Sequence, residues 1–389
     1  MKYIKSAGCF SLFYVILYFI LSTGMGIFIT NTYLFTTLFY GILLIAAFLY
    51  LKICGDDIKK TLRMHKIHIG SFFLVILLAF TIRPVAGFIT IIANLFFQDV
   101  TTNTMTQKVM QSLGLSVFTT AFLPGLVEEI LFRGVLYSRL RKANPIKGIL
   151  LSALLFGIAH MNFQQFSYAF FLGIIFGCLL EATDSIFATI TAHMIFNGSS
   201  ILLTYAISKV SLFGVNNLNT ANTVTVSSII ASIPVALIGL ILSIFLIIAI
   251  AYLNGRLGYI KTWFQKDIRQ TWPKKRVTNI SFWAAFIVCF LFSIMMEITA
   301  SFLLKLKELQ NMLFLSYSEV LLFFIILVYQ IIIQITIPHS CISPIYNSSA
   351  CILPHIIRKW DRWCGCLRIM CHPDLILSDL TVFKIISKC

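Results

Sequence analysis

Apolar runs of about 17 to 25 residues recur along the chain with short basic or polar breaks, the length at which a helix crosses a bilayer. They predict ten membrane helices near 10–30, 34–52, 70–97, 114–137, 148–160, 166–182, 185–207, 228–253, 280–304 and 317–337. The alternation of a membrane barrel is absent from this pattern. The fold class that follows is all-α, a polytopic helical membrane bundle. Pro84, and Pro124 followed by Gly125, predict breaks inside two helices, where neighbouring helices must satisfy the freed backbone groups.

Composition agrees: 59% of the 389 residues are hydrophobic and 11% are charged, whereas a soluble globule is about a quarter charged. The net charge of +16 is a matter of topology. Lys59, Lys60, Arg63 and Lys66 share one loop, Arg139, Arg141, Lys142 and Lys147 the next, and seven basic residues lie between Arg256 and Arg276. These loops alternate with sparsely charged ones, so both termini are expected in the cytoplasm and no nucleic-acid partner is implied. The organisation expected is a two-helix segment 1–69, a membrane core 70–207, further membrane helices 208–337 and a basic Cys-rich tail 338–389. In that tail Cys364, Cys366, Cys371 and His372 offer soft metal ligands, while Arg358, Lys359, Arg362 and Arg368 beside Trp360 and Trp363 suit an amphipathic segment on the membrane surface. Ten cysteines scattered through spans and tail form no secreted disulfide framework.

The chemistry gathers where Leu126-Val-Glu128-Glu129-Ile-Leu-Phe-Arg133 puts two carboxylates and a guanidinium into an apolar helix. A charge at mid-bilayer costs about 2.5–3.5 kcal/mol or more, so such residues mark function or a structural ion pair. Glu129 and Arg133 stand four apart on one face and Glu128 projects about 100° away, which lets one glutamate hold the arginine while the other faces a cavity. His160, His193 and Asn197 are the polar residues of the following spans, the last two sharing a helix face. With about 1.5 Å of rise per residue, Glu128, His160 and His193 lie roughly 16, 20 and 12 Å from the predicted cytoplasmic edge, a common level. Singly, each histidine reads as a core residue satisfied by a carbonyl, and Asn197 as a bond between helices. Glu181 and Asp184 read as residues at a span edge, and Glu297 as a deeper acid with no evident partner.

In their order and spacing, Glu128-Glu129-x-x-x-Arg133, Phe156-x-x-x-His160 and His193-x-x-x-Asn197 resemble the three motifs of the CPBP intramembrane proteases, the Abi or CAAX-prenyl-protease family related to the Rce1-type endoprotease. The resemblance covers about 114–206. It implies an endopeptidase in which Glu128 and His160 polarise a water, His193 and Asn197 stabilise the oxyanion, and Glu129 fixes Arg133 or aligns the water. Glu128, His160 and His193 are also a candidate zinc ligand set, although the HExxH helix of common zinc proteases is absent. The substrate expected is a peptide or membrane protein within the lipid bilayer. Richness in Phe, Ile, Leu and Asn suggests a bacterial cell membrane, hence processing of, or immunity to, a peptide such as a bacteriocin. Two other readings stay open: a non-proteolytic scaffold or peptide-binding regulator, and a transporter using Glu128 and the histidines as a proton relay.

Overall fold

The computed structural model describes residues 2–99, 101–212, 225–272 and 277–313. The expected span 317–337 and the Cys-rich tail lie outside them. The chain divides into units 1–304 and 305–389, and the architecture below is that of the first. Its described residues include nine long helices, the last of them up to residue 304: α1 (Lys2–Phe28), α2 (Thr32–Ile53), α3 (Ile69–Ala93), α4 (Leu113–Leu140), α5 (Pro145–Ile158), α6 (Phe163–Thr183), α7 (Ile186–Leu212), α8 (Val226–Leu253) and α9 (Ile280–Leu313). No strand occurs among the described residues. Eight of these helices are long and apolar enough to cross a membrane. The exception is α5, whose 14 residues rise only about 21 Å. It ends inside the bundle, so His160 sits in the turn between α5 and α6, not within a span as the hydropathy predicts. Met161, at φ 52°, takes the left-handed conformation as the chain reverses there.

Both predicted proline breaks are present. α3 is interrupted at Ile82, immediately before Arg83 and Pro84, and Gly239 of α8 packs into the break. A Cβ at that position would lie 2.6 Å from the Thr81 carbonyl, so only glycine lets the backbones approach. In α4 the backbone widens to π-helical geometry over Phe118–Phe122, ahead of Pro124, and again over Glu129–Tyr137. Such widenings are frequent at functional sites.

α4 is the axis of this unit. It packs against α1 and α2 on one side and against α5 and α7 on others, while α3, α6, α7 and α8 build a second core that includes Val75, Leu78, Phe176 and Ile250. α5 and α6 approach closely because Gly173 and Gly177 face Ala153 and Ile149. Small residues at such a crossing replace the hydrophobic drive that lipid removes.

At the end of the bundle that holds the loops after α2, α4, α6 and α8, Glu181 is fully buried rather than lying at an exposed edge as expected. Its carboxylate contacts Arg63 at 2.6 Å, Arg141 at 2.9 Å, Arg256 at 3.4 Å and the Tyr137 hydroxyl at 2.9 Å. Asp184 joins through Arg63 and His65. One carboxylate thus ties together three separate basic loops. Burial works to lower the Arg141 guanidinium, but Glu181 beside it outweighs this and raises it above its ordinary value. Glu297 of α9 also has a partner, the backbone N–H of Gln98 at 2.8 Å in the loop following α3.

Candidate active site

The axis helix carries the charges in the arrangement that the i, i+4 spacing predicts. Glu129 is fully buried, and its Oε1 lies 3.0 Å from Arg133 Nη1. Arg133, 2% exposed, must offset the loss of its hydration. Its guanidinium lies over the Phe156 ring at 4.2 Å and the Phe176 ring at 5.4 Å. Desolvated cation–π contacts contribute about 2 kcal/mol each, a useful supplement to a single carboxylate when burying an ion costs several. Phe156 belongs to the predicted motif. Phe176 had no signal in the sequence, being one apolar residue among many on α6.

His193 comes from α7 and packs beside Phe176. Its Nδ1 is 2.9 Å from Glu129 Oε1, and its Nε2 is 3.9 Å from Glu128 Oε2. An ionised carboxylate only accepts, so Nδ1 carries the proton and Nε2 is directed at Glu128. With Glu128 and Glu129 ionised and Arg133 charged, the group carries one net negative charge, and a proton on Nε2 makes it neutral. The imidazole is thereby held as a donor or acceptor toward Glu128 by a partner on its far nitrogen, the arrangement that orients a catalytic histidine.

Glu128 lines a cavity of about 230 Å³. His160 lines the same cavity and hydrogen-bonds the Phe156 carbonyl through Nδ1 at 2.9 Å, which fixes the ring. The opposite wall is aromatic and comes from α1 and α2: Tyr14, Tyr18, Phe39 and Tyr40. Tyr40 donates its hydroxyl proton to Glu128 Oε1 at 2.6 Å. Sequence reasoning missed this residue. The signal available was a phenol near the middle of an otherwise apolar helix.

Asn197 makes a bond between helices, the role its amide suggests when taken singly. Its Nδ2 donates to the Thr120 carbonyl at 3.1 Å, and it is not among the residues lining the cavity. Thr120 is the residue four before Pro124, whose missing N–H leaves that carbonyl without its α-helical donor. Asn197 supplies one from α7, so its amide braces the break one turn ahead of Glu128.

The expected zinc ligand set is not assembled. Among the described residues no three His, Cys, Asp or Glu side chains converge as metal ligands. Physically, the Phe156 ring packs edge-on against both imidazoles, at 5.2 Å from His160 and 5.9 Å from His193, and His193 is committed to Glu129. The residues present do not fit a metal centre.

These features define a polytopic helical membrane protein with a buried Glu–Arg–His cluster beside a polar cavity. Residues 110–199 match the family described as type II CAAX prenyl endopeptidase Rce1-like, so this part of the membrane core is similar to that family. No match is found among curated proteins or among solved structures.

Proposed function

We propose that the protein is an intramembrane endopeptidase that hydrolyses a peptide bond in a membrane-associated peptide or protein. The observation that supports it most directly is that Glu128 and His160 line one cavity while His193 presents Nε2 to Glu128. In this reading Glu128 and His160 bind a water in the cavity, and Glu128 takes its proton as the oxygen bonds to the scissile carbonyl carbon. His193, protonated and balanced by Glu129, donates through Nε2 to the oxyanion. Glu128 then returns the proton to the amine nitrogen as the C–N bond breaks. Asn197 acts indirectly, by holding the α4 break that sets the direction of Glu128.

The substrate class follows from setting and size. The cavity is below the roughly 300–1,000 Å³ of a site for a drug-sized ligand, which suits a peptide bond and one adjoining side chain. Its aromatic wall favours an apolar side chain there. A small membrane-bound peptide, such as a bacteriocin or signalling precursor in a bacterial cell membrane, is the substrate we favour.

Purified full-length protein in detergent, incubated with a synthetic library of apolar peptides, is expected to cut a subset. Glu128→Gln and His193→Ala should abolish that cleavage. Cutting at the parent's rate by both variants would remove the hydrolase from this site.

A further inference from the structure

We propose that Tyr40 is a positioning residue of the site, holding Glu128 in the orientation from which it acts; its effect on turnover rests on the hydrolase reading. Tyr40 lies on α2, outside the segment 110–199 that matches the family, so the site is completed by a helix from beyond that core. The argument begins with the carboxylate itself. The terminal torsion of a glutamate is broad and nearly two-fold, so packing alone does not fix the plane of its oxygens. A donor on one oxygen does. Tyr40 meets Oε1 at 2.6 Å, in the short range typical of a bond to an ionised partner. With Oε1 held, Oε2 is the atom left facing His193 at 3.9 Å.

The phenol is itself well placed. Tyr40 packs edge-on against Phe39 at 5.7 Å, and Phe39 against Tyr18 at 5.0 Å, so its ring is fixed by the aromatic wall. Tyr14 and Tyr18 line the same cavity, but neither makes a hydrogen bond to Glu128. Arg133 and His193 both contact Glu129, so Tyr40 alone holds Glu128 by a direct hydrogen bond among the described residues. A carboxylate that must swap a proton with water and with an amine needs one oxygen anchored and one free. Tyr40 supplies the anchor without adding a charge.

The test uses the full chain in detergent with two readouts, one of which needs no substrate. The infrared carboxyl band assigned to Glu128, by its loss in Glu128→Gln, should move in Tyr40→Phe, which keeps the ring and removes only the donor. Tyr33→Phe, whose hydroxyl on the same helix bonds the Lys108 carbonyl, should leave that band in place. On the peptide library, Tyr40→Phe should lower kcat by about ten- to a hundredfold with KM within about twofold, the signature of a misplaced group rather than weakened binding. A band unmoved by Tyr40→Phe, or an unchanged kcat, overturns the proposal. Unimpaired cleavage by Glu128→Gln would instead defeat the hydrolase reading, and the band would still report whether Tyr40 holds Glu128.

Discussion

The Asn197 amide donates to the Thr120 carbonyl, the backbone oxygen that Pro124 leaves without a helical donor. This pairing joins a motif residue on α7 to the break in α4 that aims Glu128, and it can be tested by restoring the missing proton. Asn197→Ala should cost about 1 kcal/mol and lower cleavage, because a part-buried carbonyl loses its donor. Adding Pro124→Ala returns an N–H to α4 and should recover part of that loss in a double-mutant cycle read by thermal unfolding. Strict additivity would show that the two sites are independent.

Glu129 and Arg133 form a buried pair, so removing one member should harm more than removing both. Glu129→Gln is expected to destabilise by about 3–5 kcal/mol, since it strands a guanidinium that is 2% exposed. Glu129→Gln with Arg133→Met should be closer to the parent in thermal stability, though inactive, because His193 loses its orienting carboxylate. Equal destabilisation by the single and the double change would contradict this account.

Helix approach at Gly173 leaves no room for a methyl group. A Cβ there would sit 2.7 Å from the Ala153 Cβ and 2.8 Å from its Cα, so relief requires α5 and α6 to part. Gly173→Ala should lower stability by about 1–3 kcal/mol and loosen the turn that carries His160. Gly87→Ala, where no atom lies within 4 Å, should be neutral or stabilising by up to about 1 kcal/mol. Melting temperatures of the two variants, measured side by side, check the contrast.

Glu181 offers a test away from the site. Glu181→Gln leaves Arg63, Arg141 and Arg256 around a neutral amide, and a loss of about 3–5 kcal/mol is expected. Limited proteolysis should then find the loops after α2 and α8 more susceptible than in the parent. A proteolytic pattern matching the parent's would mean that the hub does not hold them.

Asp99 gives a pH dependence outside the membrane helices. Burial works to raise its carboxyl, but hydrogen bonds from Thr102 and Thr101 outweigh it and hold it below its ordinary range. A depressed folded-state value means that the stabilisation is complete above the unfolded carboxyl's pKa and is lost as pH falls through the folded one. Hydrogen exchange of the helix Thr102–Gln111 should therefore quicken on acidification below the usual aspartate range. Asp99→Asn should flatten that dependence.

How much of this was legible beforehand depends on the range of the interaction. Apolar run length gave the membrane bundle, eight of whose helices among the described residues are long enough to span, and the i, i+4 rule paired Glu129 with Arg133 because both follow from local geometry. The proline positions gave the breaks for the same reason. The end of α5 at Ile158, two residues ahead of His160, was not legible, since hydropathy carries on through Ala159 while the chain turns. Glu181 read as an edge residue because its three arginines come from three separate loops.

Order along the chain thus specified the helices, their breaks and the three polar positions, since each depends on residues within a turn or two of one another. Folding decided the partners: Tyr40 meets Glu128 across 88 residues of sequence, Asn197 meets Thr120 across 77 and His193 meets Glu129 across 64. Hydrophobic periodicity sets which way a helix face points, but the neighbour it meets is fixed by how whole helices cross. That crossing depends on side-chain volumes and close glycine contacts spread over the entire bundle.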